Sequence, residues 1–349
     1  LIESGPPPQP DRTRWGIVIL AVATGFLVAF QVGKMPVALT SIRSELGLGI
    51  VAAGWAVSLL NLTAAVLGAP GGVISDRVGH RRLLLGSLVL LAAGSALGAA
   101  AENAMVFLVS RFVESLAVLG LLVSIPAFLF AAAAERHRGT TLAMWSARTP
   151  FGMALMIVAT PLILTMTGWR GLWLVNAAIA VIALVALTVV TRGAVRHTAL
   201  PRTQLTWWSS LRLVLVRPGP WVLAASFITY AAMWMAVMVW LPTFLTEVRG
   251  WTLAAAAWGT ALVVIANVPS NLVCGHLAQR GVPTWILIAA PSLAMGVTGY
   301  GIFAPEVPDG LKLSLAVAFS LLGGFLPGAI LVAVPRYAPS PDQIGAVNG

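Results

Sequence analysis

A chain of 349 residues with 59% apolar and only 9% charged residues lies far from soluble composition, in which about a quarter of residues carry charge, so a water-facing domain of this size is excluded. The formal net charge of +10 does not mark nucleic-acid binding, because the bases recur in short segments between apolar runs, which is how membrane topology is encoded. A single cysteine, Cys274, excludes an internal disulfide. The histidines (His80, His137, His197, His276) are too scattered for a metal site, and no nucleophile–base set or phosphate loop appears. We therefore expect no enzyme, no cofactor and no metal.

Residues 1–13 begin with Leu1 and carry Pro6, Pro7, Pro8 and Pro10, an extended tail. Ten apolar runs follow, each near the ~20 residues a helix needs to cross hydrocarbon: 14–36, 51–73, 83–101, 105–134, 141–167, 171–191, 220–243, 253–277, 284–304 and 311–334. The first is too long, and lacks the cleavage site, for a signal peptide. Residues 192–218 form a long basic connection between a half at 14–191 and a second at 219–349. With the N-terminus inside, inner segments hold fourteen arginines and outer loops hold Arg43, Arg170, Arg249 and Lys312. That bias predicts a cytoplasmic N-terminus. Trp15, Trp169, Trp221, Trp240 and Trp251 fall near span ends, as interfacial anchors should.

An internal repeat supports two halves. Pro36, Leu39, Thr40 and Arg43 match Pro242, Leu245, Thr246 and Arg249, and Trp55, Gly72 and Arg77 match Trp258, Gly275 and Arg280 after a three-residue deletion. The first half has six spans. The second then lacks two, with 345–349 opening an eleventh, so the expectation is a fragment of ten helices and the start of another.

The segment Gly72-Val-Ile-Ser-Asp76-Arg77-Val-Gly79-His-Arg81-Arg82 resembles the loop signature of the major facilitator superfamily, between its second and third helices. Gly275 to Gly281 resembles its weaker second copy, with Gln279 in place of Asp. Arg111 stands where a further signature has Arg, with Ser115 where Gly is usual. The resemblance implies an all-α polytopic membrane protein of two pseudo-symmetric six-helix halves, a monomeric transporter. It also implies a gating role for Gly72, Asp76, Arg77, Gly79, Arg81 and Arg82. Physically, Gly72 admits a close helix, and the arginines can hold carboxylates or lipid phosphate.

Four ionisable residues fall inside spans: Lys34, Arg111, Glu114 and Arg148. Such residues cost roughly 2.5–3.5 kcal/mol each at a helix centre and usually mark a site. Arg148 and Glu114 are expected near mid-membrane. Lys34 is expected near the outer edge, where its stem can snorkel to water, with Gln31 one turn away. Glu114 is expected to pair with either Arg111, at i−3, or Arg148. Three bases to one acid suit an anionic substrate held by Gln31, Lys34, Arg111 and Arg148, and Glu114 is the candidate proton-coupling residue. The leading expectation is a proton-linked carrier of a small organic anion in a bacterial cell membrane, its partners being that solute, the lipid bilayer and a proton. The alternatives are a multidrug or other efflux antiporter and a non-transporting membrane sensor. Span five keeps Pro161 but not the rest of the antiporter signature, so Pro161 reads as a kink.

Overall fold

The computed structural model describes residues 12–191 and 216–337. The N-terminal proline-rich tail to residue 11, most of the basic connection and the expected opening of an eleventh span at 345–349 lie outside the described residues. All regular structure in the described residues is helical. Backbone polar groups in hydrocarbon must bond within their own segment, and helices satisfy them.

The helices are α1 (Trp15–Leu46), α2 (Ile50–Val78), α3 (His80–Ala99), α4 (Ala104–Ala132), α5 (Arg138–Val190), α6 (Pro218–Thr243), α7 (Leu253–Gln279), α8 (Thr284–Phe303), α9 (Asp309–Gly323) and α10 (Phe325–Tyr337). A short 3₁₀ turn, Glu135–His137, precedes α5, and a π turn, Phe244–Val248, extends α6. Nine helical stretches among the described residues are long and apolar enough to cross a membrane. One of them belongs to the 53-residue α5, which breaks at Gly168 (φ 68, ψ −176) into two arms. These arms are the fifth and sixth spans expected from sequence. The break is at Gly168 and not at Pro161, which lies inside the first arm.

Two boundaries differ from the sequence expectation. Helix α1 continues through Pro36 to Leu46, because a proline removes a single ladder bond and a membrane helix tolerates that. The tenth span is not continuous: α9 stops at Gly323 and α10 starts at Phe325. A Cβ on Gly324 would lie 2.2 Å from the Asn267 carbonyl oxygen of α7, so the backbones touch at that break.

The chain divides into two compact units, Leu1–Arg202 and Thr203–Gly349. In the first, Val18, Leu27, Leu84, Leu88, Leu121 and Leu187 join one apolar core across α1, α3, α4 and α5. In the second, Cys274, Leu287 and Ala329 form a smaller one. Outward residues such as Met166, Leu293 and Val297 are about three-quarters exposed (75%, 75% and 74%) and apolar, the surface that lipid covers. The repeated segments end alike: the one closing α1 meets Gly47 (φ 63), and the one closing the π turn meets Gly250 (φ 68). Both glycines occupy the left-handed region that ends helices.

Candidate functional site

The site begins with small residues. Gly94 and Gly98 lie one turn apart on α3, the spacing that lets membrane helices approach closely. A Cβ on Gly94 would sit 3.1 Å from Glu114 Cγ, and one on Gly98 would sit 2.4 Å from the Trp173 ring. On α4, a Cβ on Gly120 would strike Ser87 Oγ at 2.0 Å. The α3–α4 contact therefore carries Glu114 against Ser95, and it leaves room for Trp173 from the second arm of α5.

Around Glu114 lies a closed ionic cluster. Lys34 Nζ donates to Glu114 Oε1 at 2.6 Å, and Ser95 Oγ donates to the same oxygen at 2.6 Å. Arg111 pairs with Glu114 Oε2 through Nη1. Arg111 also donates from Nε to the Ala56 carbonyl on α2 at 3.0 Å and from Nη2 to the Gln31 carbonyl at 3.4 Å. The Lys34 ammonium lies 4.0 Å from the Trp173 ring centre, a cation–π contact. Lys34, Arg111, Glu114 and Ser95 are each 0% exposed. Beside them, Gln31 Nε2 donates to Asn176 Oδ1 at 3.3 Å, and Asn176 is anchored to the Leu172 carbonyl.

The sequence expectations meet this geometry unevenly. Lys34 does not snorkel to water at an outer edge. It is wholly buried, because α1 runs ten residues beyond the expected end and Glu114 stands within bonding reach. Of the two expected pairings of Glu114, the one with Arg111 is present and the one with Arg148 is not. Arg148 instead stacks on Trp145, 3.2 Å from its ring centre, and donates from Nη1 to the Trp145 carbonyl at 2.5 Å. Gly25 makes the space, since a Cβ there would lie 2.6 Å from both side chains. Arg148 is 6% exposed, and its Nε has no hydrogen-bond partner among the described residues. Ser95, Trp173, Asn176 and Trp145 were not foreseen. Their signals were the Gly94–Gly98 pair and polar or indole groups in spans three, five and six.

Of the loop signature, Gly72, Asp76 and Arg77 belong to the last turns of α2, and their side chains lie outside the described residues. Gly79 turns the chain into α3 at φ 90. Arg81 Nε donates to Thr191 Oγ1 at 2.9 Å, which ties α3 to the end of α5, and Arg82 is exposed. At the opposite end of the first unit, Glu45 accepts from Trp169 Nε1 at 2.6 Å and pairs with Arg170.

The family model described as Major Facilitator Superfamily matches residues 21–349. The chain is 29% identical over 333 residues to a cephamycin export protein of Amycolatopsis lactamdurans, covering 91% of this chain and 63% of that one. It is 27% identical over 184 residues to a methylenomycin A resistance protein of Bacillus subtilis (strain 168), covering 51% and 39%. The chain spans less than two thirds of the length of either relative. Among solved structures, it resembles an inward-facing, unoccupied bacterial homologue of the human lysosomal transporter Spinster, with a TM-score of 0.78 at 14% identity, over 97% of this chain and 78% of that one. At that identity the likeness concerns the fold alone.

Proposed function

Because the chain belongs to the major facilitator superfamily, we propose that it carries a small organic anion across a cell membrane by alternating access, coupled to a proton at the cluster of Lys34, Glu114 and Arg111. The observation that carries this reading is the imbalance of buried charge. Among the described residues of the first unit, three bases are buried with one acid, and Arg148 has no carboxylate partner. A buried guanidinium without a counter-ion is costly, and an anionic solute that pairs with it bidentately recovers that cost. In this reading Arg148 is the principal contact for the anion. Gln31, whose Oε1 has no hydrogen-bond partner among the described residues, adds an acceptor for a donor on the solute. Lys34 and Arg111 supply field, and Glu114 fixes their positions. The loop from Gly72 to Arg82 serves as the cytoplasmic gate, with the N-terminus on the same side.

The test is thermal unfolding of the purified protein with benzoate and succinate against the lipophilic cation tetraphenylphosphonium, with Arg148→Ala alongside. A ligand at 100 times its Kd adds about 2.7 kcal/mol of stability. Stabilisation by the carboxylates alone, lost in Arg148→Ala, is the expected outcome. Stabilisation by tetraphenylphosphonium alone defeats the anion reading.

A second reading, efflux of an antibiotic-like compound, is favoured by the two relatives named for cephamycin export and methylenomycin A resistance. Inverted vesicles separate the two directions: an exporter accumulates its compound inside them when an inside-acid gradient is imposed.

A further inference from the structure

Three ionisable groups share one buried cluster, and a single proton can discharge it in one way. Glu114 accepts from Lys34, Arg111 and Ser95. Two cations and one carboxylate leave a charge of +1 on side chains that are each 0% exposed. The other groups that face it are neutral: Ser95 from α3, the Ala56 carbonyl from α2, and Trp173 from α5, with Asn176 beyond Gln31. A proton added to Glu114 would leave Lys34 and Arg111 as neighbouring cations without an anion, the most expensive arrangement in a low dielectric. Arg111 does not give up a proton in proteins. A proton lost from Lys34 leaves the Arg111–Glu114 pair intact, Glu114 still accepting from Ser95, and the cluster neutral.

We propose that Lys34, and not the carboxylate, carries the coupled proton. One N–H bond at Nζ breaks, its electron pair stays on nitrogen, and the proton passes to water when alternating access opens the site to one membrane face. Reloading reverses the step. The assignment rests on the reading of this cluster as the coupling site of an anion carrier, and it deepens that reading. A charged Lys34 favours a bound anion and a bound anion favours the charged lysine, by the reciprocity of linked equilibria, so anion and proton travel in the same direction.

The sequence holds two lysines, Lys34 and Lys312, which makes the test direct. The protein is labelled with ¹³C at lysine Cε and glutamate Cδ, placed in nanodiscs and titrated, with Lys312→Arg, Lys34→Arg and Glu114→Gln assigning the signals. In parallel, benzoate-driven proton uptake is read in pyranine-loaded liposomes. The expected result is a Lys34 signal that moves from the ammonium to the amine position over the pH interval in which proton uptake changes, with the Glu114 signal fixed. Benzoate affinity then changes about tenfold per pH unit in the wild type, one proton's worth. In Lys34→Arg, whose charge is permanent, it changes less than about twofold. A Lys34 signal that stays put while Glu114 moves overturns the assignment and leaves the coupled anion carrier standing. No benzoate-driven proton uptake in the wild type overturns both.

Discussion

Glu114 holds two bases at full burial, so its removal is expected to cost more stability than removal of either base. Glu114→Leu leaves Lys34 and Arg111 buried and unpaired, a loss of about 3–5 kcal/mol. Lys34→Met keeps the Arg111–Glu114 pair and the side-chain volume, and should stay within about 1 kcal/mol of the wild type. Unfolding midpoints in detergent decide the order, and equal losses in the two variants would defeat the pairing as described. Gly98→Ala probes the packing that makes the cluster possible. Its methyl would meet the Trp173 ring, which is 0% exposed and packs against Phe107 and Trp169, so a loss of about 1–3 kcal/mol is expected. The four ionisable residues were legible in the sequence because charge is rare inside apolar runs. The partner of Lys34 was not. Lys34 and Glu114 are 80 positions apart, and only the approach of α1 to α4 brings them together. Depth along a helix, counted from an expected end, placed Lys34 too near water because Pro36 did not end α1.

At the scale of the helix, two glycines break apolar runs for different reasons. Gly168 has a backbone conformation that L residues rarely adopt, and a Cβ there would meet nothing within 4 Å. The cost of Gly168→Ala is therefore one of backbone strain, about 1–3 kcal/mol, and it is expected to disturb the adjoining Trp169 and Arg170 contacts with Glu45. Gly86→Ala, a helical position with equally open surroundings, is the control, and should be neutral or stabilising by up to about 1 kcal/mol. Matching unfolding midpoints for the two variants would show that the kink is not held by Gly168. This break was legible, since Gly168, Trp169 and Arg170 separate two apolar runs. The break at Gly324 was not, because Gly323 and Gly324 are embedded in apolar sequence and the cause is the Asn267 carbonyl of another helix. Hydropathy reports the solvent a segment meets, not which backbone it touches.

For the molecule as a whole, composition and the position of arginine were enough to read a polytopic helical protein, and the orientation argued from them can be tested. In the first unit, the end of α1, the α3–α4 turn and the kink of α5 gather at one end, tied by Arg170 to Glu45 and to the Ala101 carbonyl. The start of α1, the α4–α5 turn and the end of α5 gather at the other. There Thr13 bonds His137 at 2.8 Å and Arg81 bonds Thr191. Ser44 belongs to the first end and Glu135 to the second, and both are exposed. The first end carries few bases and the second many, and on that bias rests the proposal that the second faces the cytoplasm. Cys274 is buried, so Cys274→Ser provides a background without cysteine. On it, Ser44→Cys is expected to react with a membrane-impermeant maleimide in intact cells, and Glu135→Cys only after the membrane is permeabilised. The reverse pattern would place Arg81, Arg82 and the rest of the loop signature outside, where it could not serve as a cytoplasmic gate.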